Sequence, residues 1–232
     1  MLKCLALGGL SAVAFAGAAA AQDDDATAER KAGVYVRLGA GVNFARDLDQ
    51  DLTYNPSTIF AVTPPTRKAT DVGSGGAYAA AIGFQYPGRT RTELEYRRLG
   101  ADIDATTFSG GFNPPATFSL DENLRVQTLM SNVYFDITNA SRLTPYVGVG
   151  VGGAWVRNEL DERDAAFAYQ GRAGVELALG GGLSVGAEYV YLRTLDIAFG
   201  PKEFEPTGPV GPQADGAPYV SSSIMATLRK TF

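Results

Sequence analysis

The chain has 232 residues, with 20 Lys and Arg against 25 Asp and Glu, no histidine and one cysteine. The acidic excess argues against a nucleic-acid surface, which wants a basic face. A single thiol excludes an internal disulfide framework or a cysteine-based metal site, and the missing histidine removes the usual general base near neutral pH.

Residues 1–21 carry Lys3, an uncharged run from Leu5 to Ala21, and the small residues Ala19, Ala20 and Ala21. This pattern predicts a secretory signal peptide cleaved between Ala21 and Gln22. The run is short, rich in Ala and Gly, and followed by Asp23, Asp24 and Asp25 rather than a basic stop, so it makes a poor transmembrane helix. Cys4 falls inside it, too near the start for a lipoprotein attachment site, so the mature chain is expected to carry no thiol. Residues 22–32 are polar and aperiodic and read as a disordered lead-in. Residues 33–232 read as one domain.

From Gly33 the chain alternates with period two, the pattern of strands with one apolar and one polar face. The first strand, to Phe44, sets Val34, Val36, Leu38, Val42 and Phe44 against Tyr35, Arg37 and Asn43. A long loop is expected from Ala45 to Gly75. Its Asp47, Asp49 and Asp51 begin like a calcium loop, but Leu52 replaces the required glycine and Thr58 the bidentate glutamate, so no metal is expected there. The second strand, Gly76 to Tyr86, sets Tyr78, Ile82, Phe84 and Tyr86 against small residues and turns at Pro87-Gly88-Arg89. The third, Thr90 to Leu99, has the sharpest alternation, with Arg91, Glu93, Glu95 and Arg97 opposite Thr92, Leu94 and Tyr96. A second long loop is expected from Gly100 to Asn123.

The fourth strand, Leu124 to Asp136, is ambiguous in phase because Tyr134 and Phe135 are adjacent; Val133 and Phe135 are taken as apolar-facing, and Asn132, Tyr134 and Asp136 as polar-facing. The fifth, Pro145 to Val156, contains GVGVGG within an alternating strand. No helix follows it, so it is no dinucleotide fingerprint. The sixth, Ala165 to Leu179, and seventh, Leu183 to Leu192, meet at the turn Gly180-Gly181-Gly182. After a Pro- and Gly-rich loop the eighth runs from Tyr219 to Phe232, with Arg229 on its polar face. All twelve prolines fall in loops, turns or the first residue of a strand, where no ladder hydrogen bond is lost.

Eight strands joined as neighbours, with tight turns alternating with longer loops, predict an all-β, antiparallel up-and-down barrel. A soluble barrel is apolar inside and a transmembrane one apolar outside. Arg37, Glu93, Glu95, Arg97, Arg172, Glu176, Glu188 and Arg229 all fall on the polar face, where opposite charges can pair inside a narrow barrel. The apolar face carries only Arg98 and Lys230, both at strand ends, where charge is cheap and long side chains reach water. Its aromatic residues gather near strand ends, like two interfacial girdles. The pattern therefore predicts a transmembrane barrel with the eight charges in its interior and the last strand closing onto the first. Arg229 is expected among Arg37, Glu95 and Glu188, and Phe232 is expected to point outward.

The stretches RTELEYRRL at Arg91–Leu99, NVYFDI at Asn132–Ile137, PYVGVGVG at Pro145–Gly152 and GVELALGGGLSVGAEYVYL at Gly174–Leu192, ending on Phe232, resemble the small eight-stranded outer-membrane barrels. That family includes OmpA-type membrane domains and opacity-type surface proteins. The resemblance implies a cell outer membrane location and a terminal aromatic, Phe232, read by the barrel assembly machinery. Lys230 departs from the apolar residue common two positions earlier. It implies a structural or surface-interaction protein whose long outer loops bind a host or cell-surface partner, with a small or gated pore as the alternative. Neighbouring lipid would be lipopolysaccharide, whose phosphates Arg98 would meet. Barrel enzymes of this size resemble one another in using a catalytic histidine, which this chain lacks, so no catalysis and no cofactor are expected.

Overall fold

In a computed structural model of the chain, residues 32–54, 64–111, 114–137, 141–157, 163–197, 213–214 and 216–232 are described. The expected signal segment, its cleavage point and nearly all of the lead-in lie outside them. Eleven strands form: β1 (Gly33–Ala45), β2 (Leu48–Thr53), β3 (Arg67–Val72), β4 (Ser74–Gln85), β5 (Thr90–Ser109), β6 (Ala116–Asp136), β7 (Leu143–Arg157), β8 (Arg163–Gly180), β9 (Leu183–Ile197), β10 (Gln213–Ala214) and β11 (Ala217–Thr231).

Eight of them close a ring. Going round, β1, β4, β5, β6, β7, β8, β9 and β11 each pair antiparallel with the next, and β11 returns to β1. The seam runs in continuous register from Tyr35 opposite Thr231 to Ala45 opposite Ser221. Closure leaves no unpaired edge along the ring, which a bilayer requires because hydrocarbon offers the backbone no partner.

The outer surface is apolar. Leu38, Tyr78, Ile82, Leu94, Val149, Trp155, Phe167, Tyr189 and Ile224 all stand exposed on it, while Arg37, Glu95, Arg97 and Arg172 are buried within the ring. β6, which contains the fourth strand expected from the sequence, has the expected phase, with Asn132, Tyr134 and Asp136 buried and Phe135 exposed. At one end the ring turns tightly. Gly180, Gly181 and Gly182 all have positive φ, a run that side-chain-bearing residues rarely adopt, and Gly88 has φ of 97° in the β4–β5 turn.

The opposite end departs from the two long loops expected from the sequence. Within 45–75, β2 and β3 form a hairpin, and within 100–123 the strands simply continue: β5 is 20 residues long and β6 is 21. β3 pairs with Arg67–Val72 against Ile103–Ser109, taking over β5 where β4 leaves it. Strands this long, tilted near 40°, rise about 50 Å, roughly twice the height of a bilayer's apolar band. The excess stands beyond the membrane as a blade of β10, β2, β3, β5 and β6. Its alternation is short and diluted by polar residues on both faces: the buried blade positions include Leu48, Gln50, Leu52, Thr70, Val72, Ala101, Ile103 and Thr106, with Asp49, Asp51 and Asp71 exposed between them. Several apolar residues fall within the two expected loops: Ile59, Phe60, Val62 and Phe112 lie outside the described residues, while Phe108 and Phe118 meet edge-to-face with centroids 6.1 Å apart.

The register at the seam is directly testable. With Cys4→Ser removing the native thiol, Ala40→Cys and Ala226→Cys are partners and should cross-link on oxidation, locking the folded form against boiling in detergent. Ala40→Cys with Leu228→Cys, one step out of register, should not. Equal cross-linking of both pairs would mean that the seam is not held in this register.

Candidate functional site

Phase places the charges. β5 presents Arg91, Glu93, Glu95 and Arg97 every second residue, so all four point inward; β1, β6, β9 and β11 each add one charge and β8 adds two. Among the described residues the ring buries five arginines (Arg37, Arg91, Arg97, Arg172, Arg229) and five carboxylates (Glu93, Glu95, Asp136, Glu176, Glu188).

They sort into two layers. In the central layer Arg37 grips Glu93 side-on, with Nε to Oε2 at 2.8 Å and Nη2 to Oε1 at 2.6 Å. Arg37 also reaches Glu95 at 2.7 Å and Glu188 at 3.1 Å. Arg172 bridges Glu95 at 2.7 Å and Glu188, and Arg97 lies 3.5 Å from Glu95 while donating to the Gln170 amide oxygen. The lower layer, nearer the tight turns, joins Arg91 to Asp136 at 3.2 Å and to Glu176 at 2.8 Å, with Arg229 on Glu176 at 2.7 Å. Three arginines meet three carboxylates above, and two meet two below, so each layer is neutral by itself. Neutrality within each layer offsets the large cost of burying the ions.

Three tyrosines divide the layers. Tyr35 and Tyr134 donate their hydroxyls upward to Glu93 at 3.2 and 2.9 Å, and Tyr146 to Glu188 at 2.9 Å. Their rings face the lower arginines: the Arg91 guanidinium lies 4.7 Å from Tyr134 and 4.6 Å from Tyr146, and Arg229 lies 5.3 Å from Tyr35. A tyrosine suits this position because one end is a donor and the faces attract cations. Room for the rings comes from glycines on the adjoining strand. A side chain at Gly148 would strike the Tyr134 ring, one at Gly83 the Tyr35 ring and one at Gly174 the Tyr146 ring. The GVGVGG stretch thus belongs to the packing of the interior, with Gly150 making the same room for Asn132 and Gly152 for Met130.

The eight residues singled out from the sequence all lie inside the ring, but not in one cluster. Arg229 is directly opposite Arg37 in the ladder, and like charges that close repel. The two side chains therefore diverge, Arg37 into the central layer and Arg229 down to Glu176 and Gln85, the latter at 2.9 Å. That corrects the expectation of Arg229 beside Glu95 and Glu188. Arg91, Asp136 and the three tyrosines complete the network and were not among the eight. The information was there: Arg91 is two residues before Glu93, and Tyr146 is two before Gly148. Above the charges the interior carries no ion but mixes apolar side chains, Leu99, Val126, Met130, Val156, Leu192 and Met225, with a hydrogen-bonded set in which Asn43 donates to Tyr219 and accepts from Ser223. A uniformly polar lumen, as the face-by-face pattern implied, is not what fills the ring. Phe232 points outward and is 75% exposed; Lys230 beside it caps the Gly181 carbonyl at 2.6 Å, which takes its charge to the membrane edge.

Removing one ion of the central layer should cost far more than removing a charge at the membrane edge. Arg37→Met leaves three buried carboxylates with two arginines and strips Glu93 of its main partner, and should lower unfolding stability in lipid vesicles by about 3–5 kcal/mol, read from the urea midpoint. Lys230→Met should change it by less than about 1 kcal/mol. Equal, small effects would show that the central layer does not act as a paired unit.

The comparisons with known proteins agree with this geometry. The chain is 28% identical over 190 residues to outer membrane protein PagN of Salmonella typhimurium, covering 72% of this chain and 77% of PagN. Its fold is similar to outer membrane protein OprG of Pseudomonas aeruginosa, with a TM-score of 0.55 at 10% identity over 87% of this chain and 97% of OprG. It is similar also to Neisserial surface protein A, with a TM-score of 0.50 at 13% identity over 88% of this chain and all of that one. The model of the outer membrane protein beta-barrel domain matches residues 6–208, and with the closed eight-strand ring this places the chain in that family and in the bacterial outer membrane.

Proposed function

We propose that the protein is a non-conducting, non-catalytic barrel that holds a rigid interaction blade above the outer membrane. The observation that carries this reading is continuity: β5 and β6 run unbroken from the charged interior into the blade. Outer-membrane barrels turn tightly on the periplasmic side and extend on the outside, which puts the blade at the cell surface. There its exposed Phe118 and the strand edges are available to a host or cell-surface partner.

Two features support a closed lumen. An eight-strand ring is only wide enough to be filled by side chains, and here a neutral ionic core and a largely apolar, uncharged layer occupy it in series. The absence of histidine from the whole sequence supports a non-catalytic role, since no usual general base is present. Cleavage of residues 1–21 between Ala21 and Gln22, and recognition of Phe232 by the barrel assembly machinery, are part of the same proposal.

In planar bilayers the purified protein should show no steady conductance; a reproducible open level in the wild-type protein would sink the closed-lumen reading. Trimming β5 and β6 back to Gly100 and Leu124 should abolish binding to target cells, while heat-modifiable gel migration stays intact. Undiminished cell binding by the trimmed barrel would remove the blade from the function. Deleting Phe232 should lower the yield of folded barrel in the outer membrane by several-fold, without altering the binding of those molecules that do fold.

A further inference from the structure

The charges inside the ring balance, but those at its tight-turn end do not. Arg89 lies one residue before β5 and Arg142 one residue before β7. The ladder runs on past both strand starts: the Asp136 N–H donates to the Arg89 carbonyl, and the Ala178 N–H to the Arg142 carbonyl. Arg89 therefore keeps the inward phase of Arg91, and Arg142 that of Tyr146. Both arginines are exposed at the rim. The nearest carboxylates, Asp136 and Glu176, are already engaged by Arg91 and Arg229. The turns at this end, 86–90, 137–142 and 180–183, contain no acidic residue. The mouth that the two arginines border holds a groove of about 330 Å³, lined by Gln85, Thr144, Glu176, Ala178, Arg229 and Thr231 among others.

The chain enters β1 at the edge of this groove. Gly33 is buried opposite Gln85 in the ladder, and a side chain on it would strike Thr231 and the Phe232 carbonyl oxygen. Residues 22–32 therefore join the barrel at its mouth, and they carry Asp23, Asp24, Asp25 and Glu29 against Arg30 and Lys31. Asp25 is eight positions before Gly33, a reach of up to about 26 Å. An eight-strand ring, with strands about 4.8 Å apart and tilted near 40°, is roughly 16 Å across. The acidic run can thus reach any part of the rim. Tethering adds to charge: a segment on a short linker meets the mouth at an effective concentration on the order of millimolar. Lipid headgroups lie outside the ring, whereas both arginines carry the inward phase.

We infer that residues 22–32 fold back over the tight-turn mouth as a tethered plug, with Asp23, Asp24 and Asp25 on Arg89 and Arg142. The plug adds to the closed-lumen reading and does not depend on it.

The test uses the full chain with Cys4→Ser, purified from the outer membrane. Ala26→Cys, beside the acidic run, is combined either with Ala178→Cys in the groove or with Leu179→Cys, one residue on and facing outward. Disulfide formed in a fixed time of mild oxidation is read by mass spectrometry. The 26–178 pair should cross-link at least about fivefold more than the 26–179 pair. Changing Asp23, Asp24 and Asp25 together to Asn should erase that preference. Arg89→Gln and Arg142→Gln should each lower it about threefold, Arg89→Lys should keep most of it, and about 1 M sodium chloride should remove most of it. Because Arg89 and Arg142 are exposed, each variant should keep its heat-modifiable migration. Equal cross-linking of the two pairs in the parent protein would overturn the plug. A preference that survives the asparagine changes, the glutamine changes or the salt would overturn its electrostatic docking. Conductance should stay absent either way, because the ionic layers fill the lumen with or without the segment. A failure here and a failure of the closed-lumen reading are therefore distinguishable.

Discussion

Hydrocarbon offers no hydrogen-bond partner, so every backbone N–H and C=O that enters it must be paired within the protein. For strands that means a closed ring, and nearly everything else about this molecule follows from closure. The β1–β11 seam has to form, which joins the two ends of the barrel domain across the whole sequence. Closure also turns one face of every strand inward, into a space just wide enough to be filled by those side chains. The interior must then satisfy itself.

It does so by matching charge in layers. Placing arginine and carboxylate on alternate inward positions would be ruinous if either sign were in excess, since a buried unpaired ion costs several kcal/mol. Five against five, divided as three with three and two with two, leaves each layer neutral. The tyrosines let the layers sit close without mixing. Each hydroxyl serves the carboxylates above, and each ring presents its face to the cations below. The glycines opposite are as necessary as the charges, because a side chain at Gly148 or Gly174 would occupy the space of a ring. Such a network is cooperative, and its value lies in holding one arrangement rather than in raw stability.

The two strands that contribute most to the interior also leave the membrane. β5 carries four inward charges and then becomes the spine of the blade, paired with β3 on one side and β6 on the other. An apolar cap running from Met130 and Met225 up to Leu48, Val72 and Ile103 joins barrel and blade into one packed body. A surface mounted in this way is held by the barrel rather than tethered to it, so its orientation relative to the membrane is fixed by strand tilt.

The sequence by itself determined the ring. Period-two alternation decides which residues share a face, and Pro and Gly mark the tight turns, so the eight strands of the ring, their phase and the inward direction of the eight charges were legible locally, while the outer ends of β5 and β6 were not. Even Arg91 and Tyr146 were readable by phase. Tertiary structure alone decided who pairs with whom. Arg37 and Arg229 are 192 residues apart in sequence, and only the seam register sets them opposite each other and drives them into separate layers. The blade was also beyond the sequence. Its buried positions mix Leu48, Leu52, Val72 and Ile103 with Gln50, Thr70 and Thr106 over short strands, so no long apolar face marks them and burial depends on the neighbouring strands.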